Sequence, residues 1–215
     1  MNKQVTENNQ VTIIGKIVSD FSYSHEVYGE NFYIVDVEVD RLSDSKDIIP
    51  VMISDRLLNV KQNYTDSYVI INGQFRSYNK HEDNKNKLFL SVFARDVEFV
   101  DSIETSNEST NQVILDGYVC KEPIYRKTPL GREIADVLLA VNRPYGKSDY
   151  IPCICWGRNA RYISSFQIGD KCRVWGRIQS REYTKKITEE VVEKRIAYEV
   201  SISKIEVQEE MLIAN

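Results

Sequence analysis

The sequence predicts an all-β chain made of two copies of one small closed barrel. Three observations carry this. The chain repeats itself at a fixed offset of 102 residues. Each copy is a series of short runs with apolar residues at every second position, separated by turn residues, which is the period of half-buried strands. Each copy also leaves room for one short helix between its third and fourth strands.

The repeat fixes the organisation. Asn9, Gln10, Val11 and Gly15 fall on Asn111, Gln112, Val113 and Gly117. Tyr23, Gly29, Val35, Val39 and Arg41 fall on Tyr125, Gly131, Val137, Val141 and Arg143. Asp47, Ile49, Pro50 and Arg56 fall on Asp149, Ile151, Pro152 and Arg158. These are 13 identities in 48 positions, where ordinary residue usage gives roughly three. A one-residue slip then aligns Gly73 with Gly176 and Ser77 with Ser180, and "LFLSVFARDVEF" parallels "IAYEVSISKIEV". The expected domains are 1–101, a polar linker "SIETSNESTN" at 102–111, 112–208, and a short tail at 209–215.

In the second copy the strands are expected near 113–120, 133–141, 149–156, 171–179 and 196–207. Gly131 marks the hairpin between the first two. The helix is expected near 159–166, "NARYISSF", with Asn159 as its cap. Gly169 supplies the turn after it. Five strands with one helix between the third and fourth describe a tandem OB-fold, a five-stranded Greek-key barrel.

Composition suits a globular protein, with 42% apolar and 28% charged residues. No run approaches the roughly 18 apolar residues of a membrane span, and "MNKQVTENNQ" has no apolar signal region. A cytoplasmic protein with no membrane partner is expected. Cys120, Cys153, Cys155 and Cys172 fit no metal-ligand spacing and read as small buried hydrophobes. His25 and His81 read as solvated loop residues. Neither a nucleophile–base pair nor a phosphate-cradling glycine loop is evident, so no enzyme and no cofactor is expected.

Charge is uneven. Residues 1–104 hold 11 Lys and Arg against 17 Asp and Glu, a net of −6. Residues 111–207 hold 17 against 12, a net of +5. The basic half points to a polyanion. The strand "DYIPCICWGRN" (149–159) adds aromatics to it. Ile151, Cys153 and Cys155 share one face, and Tyr150, Pro152, Ile154 and Trp156 share the other. That places Tyr150 and Trp156 about 20 Å apart on the face the core does not need.

Residues 111–183 resemble the bacterial single-stranded-DNA-binding protein family (SSB). The echoes run in order: "NQVILDG", "EPIYRKTPLG", "LAVNR", the aromatic strand ending "WGR", and "GRIQSR". The first copy shows the same skeleton more faintly, so the chain resembles the form with two OB units. The resemblance implies base stacking on Tyr145, Tyr150, Trp156 and Tyr183, with each base contributing roughly 1–3 kcal/mol regardless of sequence. It implies phosphate contacts from Arg126, Lys127, Arg143, Arg158, Arg177, Arg181 and Lys185. Trp175, between two arginines, is expected at an interface between OB units, with a base platform as the alternative. The charge run 184–195, "TKKITEEVVEKR", reads as a solvated hairpin loop able to close over a strand.

The first copy keeps the inner face Ile49, Val51 and Ile53 but presents Ile48, Pro50, Met52 and Ser54 outside. Ser43 and Lys80 replace two of the aromatics, leaving Phe75 and Tyr78 as stacking candidates. It reads as an architectural or dimerising barrel. The resemblance implies a homodimer with four OB-folds and roles in replication, recombination or repair. The family's acidic recruiting tip has no counterpart in "QEEMLIAN". Three functions stand open: single-stranded DNA binding, mainly through the second copy; an OB-fold scaffold for protein contacts in a replication or mobile-element assembly; or RNA as the strand bound, since stacking and phosphate contacts do not read the 2′-hydroxyl. Aromatics coinciding with positive charge in the second copy favour the first.

Overall fold

The computed structural model of the chain describes residues 7–41, 43, 45–82, 85–102, 110–186 and 192–208. For 80–82, 85–87, 185 and 186 it describes the backbone only. The first unit holds β1 (Asn9–Ile17), β2 (Ser22–Val27), β3 (Glu30–Asp40), β4 (Lys46–Ser54), β5 (Tyr68–Glu82) and β6 (Lys85–Val100). The second holds β7 (Asn111–Val119), β8 (Ile124–Lys127), β9 (Glu133–Asn142), β10 (Ser148–Trp156), helix α1 (Arg158–Ile163), β11 (Lys171–Lys186) and β12 (Val192–Val207). Strand order runs β2-β3-β4-β6-β5-β1 and then β7-β11-β12-β10-β9-β8. The pairings β1–β3 and β7–β9 close each unit into a barrel, with parallel contacts β4–β6 and β10–β12. Both units are OB-folds.

The repeat in sequence reappears as a repeat in burial. β1 and β7 alternate buried and partly exposed residues in the same pattern, burying Val11, Ile13 and Ile17 in one and Val113, Leu115 and Val119 in the other. Alternation of this kind puts every second side chain inside the barrel. On β10 the inner face is Ile151, Cys153 and Cys155, all buried. Burial pushes the Cys155 thiol up to about 12 and that of Cys172 to about 11, so both stay neutral packing groups. Cys120 is only half-buried.

Several elements differ from expectation. Each barrel gains a sixth, short strand, β2 or β8, folded onto its neighbour by a turn at Gly29 or Gly131, both at positive φ. β7 begins at Asn111, inside the expected linker. Only the second unit forms a helix among the described residues. There Ala160, Ile163 and Phe166 are buried against the barrel. Gly157, at φ 54, stands at the cap position with no side-chain capping bond, and Asn159 instead donates from Nδ2 to the Ser203 carbonyl at 2.9 Å. In the first unit Asn59 and Asn63 accept from the backbone N–H of Lys61 and Thr65 at 3.2 and 2.8 Å. Such local bonds satisfy the backbone without a helix. Leu58 and Tyr64 pack against the core from these turns.

The units join through an antiparallel pairing of β1 with β7, in which Val11 lies opposite Val113. Those two positions are equivalent in the repeat, so an approximate two-fold axis passes between them. Matching polar bonds flank the seam. Asn9 exchanges two bonds with the Phe75 backbone, both at 2.8 Å, and Asn111 does the same with Ile178 at 2.7 and 2.9 Å. Across the seam, buried Asp47 holds Arg41 and accepts from the Ser180 backbone N–H at 2.6 Å. Buried Asp149 holds Arg143 and accepts from the Ser77 backbone N–H at 2.6 Å. Each arginine also donates to the carbonyl of that serine at 2.9 Å. The result is a reciprocal clamp.

Candidate nucleic-acid interface

The outer face of the second unit is built by β8-β9-β10-β12-β11. Tyr150 and Trp156 sit at the two ends of β10, 49% and 40% exposed. Between them Pro152 is half-buried and Ile154 buried. Across the ladder, Tyr150 faces Ala140 and Trp156 faces Ile134, so small or apolar neighbours leave both rings open to one side. Two strands away on β11, Arg177, Gln179, Arg181 and Tyr183 alternate onto the same face. Tyr183 is 37% exposed, opposite Arg195. Tyr145 is fully exposed in the Pro144–Gly146 turn, at φ 65. The face therefore offers separated aromatic rings rather than one continuous cluster.

The cations divide into two groups. Lys127 and Arg158 are exposed and make no ion pair among the described residues. Arg181 is exposed, with Nε 3.9 Å from the Glu199 carboxylate. Arg126 lies on Asp136, with Nε at 3.0 Å and Nη2 at 2.9 Å. Arg143 is committed to Asp149 and Ser77. Arg177 reaches over the seam to Asp47 at 3.3 Å and to Gln179 Oε1 at 3.2 Å. Burial lowers its pKa, only partly offset by Asp47. The Lys185 side chain lies outside the described residues.

Trp175 is half-buried on β11, with Lys204 Nζ 4.5 Å from its ring centre. It pairs with Ile114, which in turn pairs with Gln10 of the first unit, so it lies one strand from the seam. Within the run 184–195, residues up to Lys186 and from Val192 are paired strands, Lys186 opposite Val192, and 187–191 lie outside the described residues.

The first unit differs more from expectation. Phe75 is fully buried in the core and cannot stack a base. Met52 and Ser54, expected at the surface, are each 6% exposed. Ser54 donates to Glu30, and β4 is covered on both sides. His25 is on a strand, β2, with its ring stacked on Phe32 at 5.1 Å. His81 lies on β5, with its side chain outside the described residues. Tyr78 stacks on Phe89 at 5.4 Å. What the sequence reading missed was on β6: its alternation buries Leu90, Val92 and Ala94 and turns Phe89, Ser91 and Phe93 to the other face.

The chain is thus a tandem OB-fold protein with an open aromatic and basic face on its second barrel. Residues 110–208 match the model of the "Single-strand binding protein family". Within the chain, 80 residues are 38% identical to "Single-stranded DNA-binding protein 3" of Listeria innocua, covering 34% of this chain and 50% of that one. The same identity over 80 residues holds for "Single-stranded DNA-binding protein A" of Bacillus subtilis, covering 34% and 46%. The chain spans about half the length of the curated relatives it matches. The wild-type single-stranded DNA binding protein of Thermus aquaticus shares the fold, with a TM-score of 0.76 at 19% identity over 96% of each chain. Over residues 110–208 the second unit is similar to the single-strand binding protein family, and the chain as a whole folds as two OB units on one polypeptide.

Proposed function

We propose that this chain binds and protects single-stranded DNA with little sequence preference, without catalysis, in replication, recombination or repair. One observation carries the reading: Tyr150 and Trp156 are held open on the outer face of β10, within the segment that matches the family. An exposed ring at each end of a rigid strand costs little to order and accepts any base. Lys127 and Arg158, without an ion pair among the described residues, and the exposed Arg181, 3.9 Å from Glu199, are the phosphate contacts of this reading, joined by Arg126 if its pair with Asp136 opens. Arg143 and Arg177 serve the clamp between units instead. Tyr145 and Tyr183 extend the stacking surface. The reading places the protein in the cytoplasm, and no helix among the described residues is long and apolar enough to cross a membrane.

Titration of tryptophan fluorescence with oligo-dT at two salt concentrations tests this. Both tryptophans are in the second unit, and quenching of Trp156 is expected as bases stack. Single strand should bind ahead of duplex, with a log–log salt slope near −0.7 per phosphate neutralised. Equal affinity for duplex, with no quenching, overturns the reading. A homodimer with four barrels belongs to the same proposal, supported by Ile124 and Leu130, 63% and 85% exposed around the β8–β9 hairpin. Light scattering giving the 25.0 kDa of one chain rejects it.

A further inference from the structure

The first unit holds a pocket of about 340 Å³ between β2, β4, β5 and β6, with Arg143 of the second unit at its rim. That volume is in the range of small-molecule sites, about 300–1,000 Å³. Its walls carry flat groups in series. The His25 ring stacks on Phe32 within 15° of parallel, Phe32 lies 5.7 Å from Phe93, and the Arg76 guanidinium lies 3.8 Å over the Phe93 ring. Phe93 is half-buried and lines the pocket.

Arg76 is the unusual member. Its Nε and Nη2 both donate to the neutral Gln74 Oε1, at 3.2 and 2.7 Å, and it has no carboxylate partner among the described residues. Burial, then the like charge of Arg143, lower its pKa to about 10; Asp149 opposes them, and Arg95 adds a smaller lowering effect. Arg143 is paired with Asp149 and Arg95 with Glu7, which leaves Arg76 as the half-buried cation of the three with no carboxylate of its own among the described residues, a costly arrangement without a counter-charge. An anion in the pocket would supply one.

The second unit closes the same place with different chemistry. Arg76 pairs in register with Ser91, and the equivalent pair is Gln179 with Glu199. Those two are buried and joined by a 2.7 Å bond from Gln179 Nε2. Gln74 pairs with Phe93 where the second unit pairs Arg177 with Ser201. The first unit thus places a ring and an unpaired cation where the second places a serine and a closed polar pair.

We infer that this pocket is a second nucleotide subsite, holding one base of the single strand against Phe93 and an adjoining phosphate on Arg76. The inference rests on the single-strand reading above, and it makes the acidic first barrel a contributor to binding. A base and phosphate match the pocket because every base has a π face to lay on an aromatic ring. The guanidinium suits the phosphate, since its planar fork both stacks and bonds oxygens.

The test uses the full chain and oligo-dT. Replacing Arg76→Gln and Phe93→Ser together gives the first unit the residues of the second. Affinity should fall about 5- to 150-fold, the range for one lost base contact. Arg76→Gln alone should make the salt slope shallower by about 0.7. Phe93→Leu keeps apolar volume while removing the flat face, and circular dichroism melting checks that it folds. Ultraviolet cross-linking of an oligo-dT bearing 5-iodouracil should label the peptide containing Tyr78 or Phe93, and Phe93→Leu should abolish that adduct. If Trp156→Ala weakens binding while all first-unit variants bind as wild type and cross-links fall only within 133–207, this inference fails alone. If wild type does not bind the oligonucleotide, the functional reading fails with it.

Discussion

Replacing Asp47 by Asn should destabilise the protein far more than a surface ion pair would. The Asp47 side chain is 1% exposed and sits between the units. It accepts from Arg41 Nε at 2.7 Å and Nη2 at 2.5 Å, from Ser180 N at 2.6 Å and Oγ at 3.0 Å, and from Arg177 Nη1 at 3.3 Å. The amide removes the charge facing two arginines and turns two donors toward groups that are themselves donors. Breaking a buried pair costs about 3–5 kcal/mol. Arg41 and Arg177 keep 25% and 37% side-chain exposure, which favours the lower end, ~3 kcal/mol. Urea unfolding is the assay. With a slope of about 2 kcal/mol/M the midpoint should fall by about 1.5 M, with the slope unchanged. A fall under roughly 0.5 M would show an exposed-pair energy of about 1 kcal/mol and refute the clamp. The pH dependence has a defined direction. Burial pushes the Asp47 carboxyl up, but the donors of Arg41 and Ser180 outweigh it and hold it below its ordinary value of 3.8. A carboxyl lowered by folding stabilises above its unfolded pKa, and that contribution is lost as pH falls through the folded value. The gap between wild type and Asp47→Asn should therefore be full near neutrality and narrow below pH ~4.

Trp156→Ala and Tyr150→Ala should each weaken oligo-dT binding by about 1–3 kcal/mol with an unchanged melting temperature; an unaltered titration curve for both would remove β10 from the interface. Their double variant need not add, since both lie along one strand. Arg158→Ala should make the salt slope shallower by about 0.7 at constant stability, whereas Arg143→Ala should lower the urea midpoint; the reverse assignment would refute the division of cations made above. At Gly176, beside the register shift in β11, a Cβ would run into the Ser201 carbonyl oxygen. Gly176→Ala should cost about 1–3 kcal/mol, seen as a melting temperature lower by at least ~2 °C, and a wild-type melt would show that the bulge relaxes freely.

Much of the barrel was legible because burial follows a period of two. Ile151, Cys153 and Cys155 announce an inner face on β10, and the repeated Val11 and Val113 turn out to mark the axis of the seam. The helix of the first unit was misread because the repeat was trusted over local chemistry: "NVKQNYT" holds two asparagines able to bond their own backbone. The clamp was missed although its parts were visible. Asn9 and Asn111, Arg41 and Arg143, Asp47 and Asp149, and Ser77 and Ser180 are polar identities in a repeat whose apolar identities are core. Phosphate contact was the expectation for Arg143, because an arginine in a basic half suits an anion. Asp149 is its neighbour across the β9–β10 hairpin, but the Ser77 carbonyl, 66 residues away, comes within reach only once two barrels are packed.

The clamp also explains how the two barrels could diverge in chemistry while keeping one fold. Each Arg–Asp pair closes on a serine of the opposite barrel, so a change in one pair leaves a charge unpaired in its own barrel and backbone groups of a serine unpaired in the other. The outer faces have no such mutual constraint. A ring lost from β4 and a ring gained on β6 leave the seam untouched, because Phe93 and Met52 contact neither clamp carboxylate in the hydrogen-bond network described. What divergence preserved is therefore the frame that sets the distance and angle between faces. On the second barrel the open rings stand on β10, and on the first they lie one strand over, on β6, beside an unpaired arginine. A single strand crossing both faces would meet aromatic surface on different strands of the two barrels, so its path need not follow the two-fold axis that relates them.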